Sequence, residues 1–121
     1  MFVLSPKNLE VFWPVTIAVP MDGGEVEEFT FECKFKVLNT DEFQDKYPAF
    51  AANINDIKDL PARERAFWSD VVTDWRQVSD EKGKELKFTK ARFEQLLKKP
   101  YTARALHKAY QDCLAGRKSK N

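Results

Sequence analysis

Residues 75–116 read WRQVSDEKGKELKFTKARFEQLLKKPYTARALHKAYQDCLAG, and the order of turns and apolar spacings in this stretch decides the class of fold. Ser79 to Lys87 form a charged turn around Gly83. Thr89 is placed to cap a short helix carrying Phe93, Leu96 and Leu97, because a threonine oxygen accepts from the free amides of a first helical turn. A last helix starts after Pro100. Ala103, Leu106, Ala109, Tyr110, Cys113 and Leu114 share one side of it, with Arg104, Lys108, Gln111 and Asp112 opposite. Gly116 then fits a left-handed helix cap. Upstream, Pro61 suits a first helical position. The spacing predicts a helix from Pro61 to about Val78, since Phe67, Trp68, Val71, Val72, Trp75 and Val78 fall within an arc of about 140° at helical pitch.

Toward the N-terminus the period changes to two residues. Phe29, Phe31, Cys33, Phe35 and Val37 alternate with Thr30, Glu32, Lys34 and Lys36, the pattern of a strand with one buried and one solvated face. Before it, Trp13, Val15, Ile17 and Val19 alternate with Pro14, Thr16 and Ala18. Met21-Asp22-Gly23-Gly24 joins the two runs, which predicts an antiparallel hairpin over residues 11–38. Pro14 has no amide hydrogen to give a ladder, so the first strand belongs at an edge or begins its pairing near Val15. Asn39 or Thr40 ahead of Asp41-Glu42 signals a short helix from about Asp41 to Lys46, ended by Tyr47-Pro48. Residues 49–60 fit either a further helical turn through Phe50 and Ile54 or a loop.

These elements predict an α+β single domain, in which an N-terminal antiparallel hairpin or small sheet (residues 1–38) packs against a C-terminal helical bundle (residues 39–116). Residues 117–121 are expected to be a disordered basic tail, since they offer nothing to bury. A chain of 121 residues with 43% hydrophobic content can bury one core but hardly two. The net charge of +1 gives no field that favours nucleic acid or an anionic membrane. No apolar run approaches the roughly 20 residues that span a bilayer, and MFVLSPKNLE lacks the basic and apolar regions of a signal peptide, so a cytoplasmic location is expected. Cys33 and Cys113 form no C-x-x-C pair and lie on apolar faces, as buried reduced thiols do.

Chemistry-bearing patterns are scarce. Turns and a helix end account for all four glycines, and no phosphate-cradling motif exists. His107 is the only histidine and reads as a solvated imidazole at the edge of a polar helix face. Glu25, Glu27 and Glu28 read as a charged strand edge that deters aggregation, and Asp80, Glu81 and Glu85 as a solvated turn. No catalytic, cofactor-binding or metal-ligating set is expected, and no enzyme activity. Ten Phe, three Tyr and three Trp are many for a core of this size. Phe12, Trp13, Phe50 and Trp68 are the hardest to bury, and are candidate partner-binding residues unless the core is merely aromatic-rich. Lys90, Arg92, Lys98, Lys99, Arg104, Lys108, Arg117, Lys118 and Lys120 make the C-terminal third locally basic, and a rival reading makes its helices the basic face of a small nucleic-acid-binding or regulatory protein.

Trp75, Asp80-Glu81-Lys82-Gly83, Leu86-Lys87-Phe88-Thr89, Leu96-Leu97, Pro100-Tyr101, Ala109-Tyr110 and Arg117-Lys118 follow one another in an order that resembles the C-terminal half of the tail assembly chaperones of long-tailed bacteriophages. The resemblance covers roughly residues 40–121. It implies a protein that binds the tape measure protein, keeps it soluble, helps to recruit tail tube subunits and is absent from the finished virion. It places the protein in the host cell cytoplasm, and since one small domain covers only a short length of a long client, self-association is expected; the balanced charge leads us to expect no nucleic-acid or membrane partner. Within the motif, Trp75, Gly83, Phe88, Leu96, Leu97, Pro100, Tyr101, Ala109 and Tyr110 are expected to determine the fold, since they alternate with polar faces.

Overall fold

The computed structural model describes residues 1–47 and 60–117. Strand β1 (Glu10–Pro20) and strand β2 (Val26–Lys36) form the expected hairpin, closed by a turn over Asp22–Gly24 in which Gly23 and Gly24 take φ of 77° and 80°. Helix α1 (Thr40–Lys46) follows and ends at Tyr47, whose backbone is extended. Helix α2 (Leu60–Val71) runs directly into strand β3 (Val72–Arg76), and helices α3 (Lys90–Leu97) and α4 (Thr102–Leu114) complete the chain. The sheet order is β1-β2-β3, all antiparallel. Helix α4 lies along β1, while α2 packs on α3 and β3. The protein is thus α+β, a small sheet packed against helices.

The expected helix to Val78 is corrected here, because it stops at Val71 and the chain continues as a strand beside β2. Lys34 pairs with Asp74 but Phe35 with Val72, so Thr73 is an extra residue bulged out of the ladder. The bulge turns Val72 and Trp75 toward the same face, a spacing of i and i+3 that imitates a helix. Two features favour the strand locally and tertiarily. Val71, Val72 and Thr73 are β-branched, and β2 offers free backbone groups that the extended chain satisfies. The Thr73 hydroxyl lies 3.1 Å from Glu10 Oε1 and 3.4 Å from the Lys34 carbonyl at the disrupted rung.

The prolines of β1 are explained by ladder geometry. Val37 N–H donates to the Leu9 carbonyl and Met21 N–H to that of Glu25, so odd-numbered β1 residues bond to β2 and even-numbered ones face outward. Pro14 and Pro20 both belong to the outward set, on the edge strand, where a missing N–H leaves no rung broken.

The core face of the sheet carries Val15, Phe31, Cys33 and Phe35, and the helices bring Phe67, Trp68, Val71, Phe93, Leu106 and Tyr110 onto it. Cys33 is buried and Cys113 half-buried, and both thiols are free. The motif interlocks at Trp75: its indole N–H donates to the Leu86 carbonyl at 2.8 Å, and its ring meets Phe88 and Phe93 edge-on. Thr89 caps α3 by accepting from Arg92 N–H at 3.1 Å, and the buried Thr102 hydroxyl closes the α3–α4 corner on the Leu96 carbonyl at 2.7 Å. Gly116 ends α4 as expected, with Arg117 N–H donating back to the Asp112 carbonyl.

Tyr110 is completely buried; its hydroxyl accepts from Leu38 N–H at 3.2 Å and donates to the Lys36 carbonyl at 2.9 Å. Tyr110→Ala is expected to lower stability by about 3 to 5 kcal/mol through the lost ring. Tyr110→Phe should cost about 1 to 3 kcal/mol, because it strands a buried amide and carbonyl. Urea unfolding midpoints measure both, and an unchanged midpoint for either contradicts the clamp.

Burial pushes the Tyr110 hydroxyl up to about 12 from its ordinary 10.0 and the Cys33 thiol upward from its ordinary 9.0. Both groups hold their protons longer folded than unfolded, so the unfolded chain releases protons first. Stability is therefore complete below about pH 9 and falls as pH rises toward 12. Tyr110 alone accounts for about 2 kcal/mol by pH 12. Urea midpoints measured at successive alkaline pH values, with Tyr110→Phe showing a flatter decline, test this.

Candidate interaction surfaces

The four aromatic partner candidates separate. Trp68 has no exposed surface and meets Tyr47, Phe67, His107 and Tyr110 edge-on in the centre of the protein, so it is corrected from a surface candidate to a core residue. Its place on the apolar arc of α2 foretold burial, but only the assembled helices supply enough neighbours to cover an indole. Trp13 is half-buried on the core face, packed at the rim of the core. Phe12 lies on the opposite face beneath the Arg76 guanidinium, 4.0 Å from the ring centre, with the Lys34 ammonium 5.7 Å away. Arg76 is itself held by Glu32 at 2.6 Å, which orients it across the sheet onto Phe12. Phe50 lies outside the described residues.

The motif residues also divide. Trp75, Ala109 and Tyr110 are buried, Phe88, Leu96 and Leu97 pack partly against the core, and Gly83 takes the positive φ its turn requires. Pro100 is exposed and Tyr101 half-exposed, and both line an open groove of about 440 Å³ between the outer edge of β1 and the start of α4. Ala18, Pro20 and Ala105 supply the rest of its apolar lining, and Arg104 and Lys108 add two cations. The backbone N–H of Thr16 and of Ala18 belong to the outward set of β1 and face this edge. The groove can therefore hold an apolar segment by contact while offering hydrogen bonds and positive charge. Nothing in local periodicity marks it, because its walls come from two elements far apart in sequence.

His107 is corrected from a solvated imidazole to a half-buried one bonded at both ring nitrogens. Nε2 lies 2.6 Å from Glu64 Oε1 on α2, and Nδ1 meets the hydroxyl of Tyr47 at the end of α1. With Glu64 ionised, Nε2 carries a proton, and in the neutral ring Nδ1 accepts from the Tyr47 O–H. Desolvation raises the Tyr47 pKa, against a lowering hydrogen bond from Gln111. The three side chains thus staple α1, α2 and α4 at one corner. Among the described residues no group of His, Cys, Asp and Glu is placed to hold a metal, and no helix is long and apolar enough to cross a membrane.

The surface of β2 differs from the rest of the sheet. Residues 26–30 are all exposed, as are Met21 at the tip and the N-terminal Met1, Phe2, Val3, Leu4 and Leu9. Glu25, Glu27 and Glu28 surround that tip as a solvated charged edge. In comparisons with family models, curated proteins and solved structures, the chain has no match.

His107→Ala is expected to cost about 1 to 3 kcal/mol, because it removes the hydrogen bonds that the imidazole makes to the partly buried Glu64 carboxylate and to the Tyr47 hydroxyl. A solvated surface histidine would change stability by less than about 0.5 kcal/mol. The urea midpoint distinguishes the two.

Proposed function

We propose that the protein is a tail assembly chaperone of a long-tailed bacteriophage. In the host cell cytoplasm it holds apolar segments of the tape measure protein in solution and helps to recruit tail tube subunits before the tube polymerises. The observation that carries this reading is the ordered series from Trp75 through Gly83, Phe88, Leu96-Leu97 and Pro100-Tyr101 to Ala109-Tyr110. Support from the geometry is chemical: two members of the series, the exposed Pro100 and half-exposed Tyr101, line an apolar groove. A client segment seated there buries apolar surface at roughly 25 cal/mol per Å² and needs no reacting group. Arg104 and Lys108 favour clients with acidic residues beside the apolar run.

One small domain covers only a short length of a long helical client, which rises about 1.5 Å per residue. Several copies therefore act along one client, and weak individual contacts gain from neighbours held on the same chain. The direct test is co-expression with the tape measure protein. That protein is expected to be insoluble alone and soluble with this chain, in a complex that survives high salt. Tyr101→Ala combined with Ala18→Glu should release the client while leaving the urea midpoint nearly unchanged. If the client stays insoluble and the protein instead retains nucleic acid that salt strips away, the basic helices are the functional face and the chaperone reading fails.

A further inference from the structure

Strand β3 covers only part of β2. Its pairing runs from Val72 opposite Phe35 to Arg76 opposite Glu32, and then Gln77, with φ of 68°, turns the chain away. Even-numbered β2 residues direct their backbone groups toward β3, as the Glu32–Arg76 and Lys34–Asp74 pairs require. Beyond Glu32 the same set continues with Thr30, Glu28 and Val26, and among the described residues no strand meets them. This edge contains no proline and is exposed throughout. The apolar side chains beside it are left open too: Phe29, on the core face, is 44% exposed and Val26, on the other face, 61%.

At the opposite end of the sheet is a segment with matching properties. Phe2 and Leu4 are 85% and 87% exposed, and Met1 and Val3 are similarly open. Pro6 bounds the arm, with a bend closed by Lys7 N–H donating to the Ser5 hydroxyl at 3.2 Å. As a strand, Met1–Leu4 would place Phe2 and Leu4 on one face and Met1 and Val3 on the other. It would so cover Phe29 and Val26 together. The arm is followed by the cation Lys7, whereas the hairpin tip carries Asp22, Glu25, Glu27 and Glu28. Laid antiparallel to β2, with Leu4 toward the tip, the arm brings Lys7 beside those acids.

We propose that the N-terminal arm of one copy, residues 1–4, adds as a strand to the unpaired β2 edge of a second copy at Val26, Glu28 and Thr30, continuing the line of β3. The arm cannot occupy the edge of its own chain. Leu9 is bonded opposite Val37, and Thr30 lies seven residues, about 23 Å, further along β2. The five steps from Leu9 back to Leu4 span at most about 18 Å. Because arm and edge lie at opposite ends of the sheet, the contact is head-to-tail, and each copy that accepts an arm still presents its own. Copies thus join in an open row. The pairing needs no client, so its failure leaves the client-binding reading standing, and the reverse.

Sedimentation velocity over a wide range of protein concentration tests the proposal. The full chain is expected to form a concentration-dependent series of species. A chain lacking residues 1–4 should remain a monomer, and so should Glu28→Pro, whose missing N–H points at the open edge and away from β1. Mixed together, these two should give a two-chain complex and nothing longer, since the pair has one intact arm and one intact edge. If Glu28→Pro does not fold, the triple variant Glu25→Lys, Glu27→Lys, Glu28→Lys takes its place, with association lost through repulsion of Lys7. The arm deletion touches no packed residue and is readable in every case. A full chain that stays monomeric at all concentrations, an arm-deleted chain that associates as the full chain does, or a complementary pair that fails to combine overturns the proposal.

Discussion

The Tyr110 hydroxyl joins the end of β2 to the last helix from inside the protein, through the Lys36 carbonyl and the Leu38 amide. Those two groups lie where the sheet ends and the chain turns toward α1, so neither has a ladder partner there. A buried amide without a partner is costly, and a single phenol satisfies both groups at once. The same ring sits edge-on to Phe35, Phe67 and Trp68 and stacks near Phe43. One side chain thereby sets the distance of α4 from the sheet and the place of α1 and α2 around it. The aromatic richness of the chain is spent largely on this cluster, in which edge-to-face contacts fill a small core with few residues.

The second constraint is the direct passage from α2 into β3. With no connecting loop, the position of α2 dictates where β3 meets β2, and the Thr73 bulge absorbs the mismatch. Trp75 then holds the short strand to the charged turn through its indole N–H. Because β3 ends at Arg76, the sheet is, among the described residues, three strands wide at the end near α1 and two strands wide at the hairpin tip. At the narrow end Phe29 stays partly exposed, which leaves apolar surface beside backbone groups that no described strand meets.

Apolar surface outside the core is therefore divided between two places of different chemistry. The groove beside β1 is lined by Pro100, Tyr101 and Ala105 with cations at hand, on an edge where Pro14 and Pro20 remove donors. The β2 edge is acidic and keeps every donor. In the proposed role, the first suits side-chain contact with a client and the second backbone pairing with another copy. This separation would let the protein hold a client and a neighbouring copy at the same time.

The hairpin, its edge proline, the Gly83 turn, the Thr89 cap and the apolar face of α4 were all legible in the chain, because each depends on residues within a few positions of one another. Periodicity failed at Val72 to Val78, where a bulged strand and a helix place the same residues on one side. The β-branched run Val71-Val72-Thr73 leans toward the strand, and the β2 edge that the extended chain pairs with decides it. His107 and Trp68 were misread for a related reason: their partners come from other elements, Glu64 lying 43 residues and Tyr47 60 residues from His107. The groove and the open β2 edge were likewise invisible, since each is bounded by where a second element stops. Local pattern determines which face of an element is apolar. What covers that face, and which backbone groups are left unpaired, is decided by contacts between distant segments, since burial and hydrogen bonding are satisfied only when the elements meet.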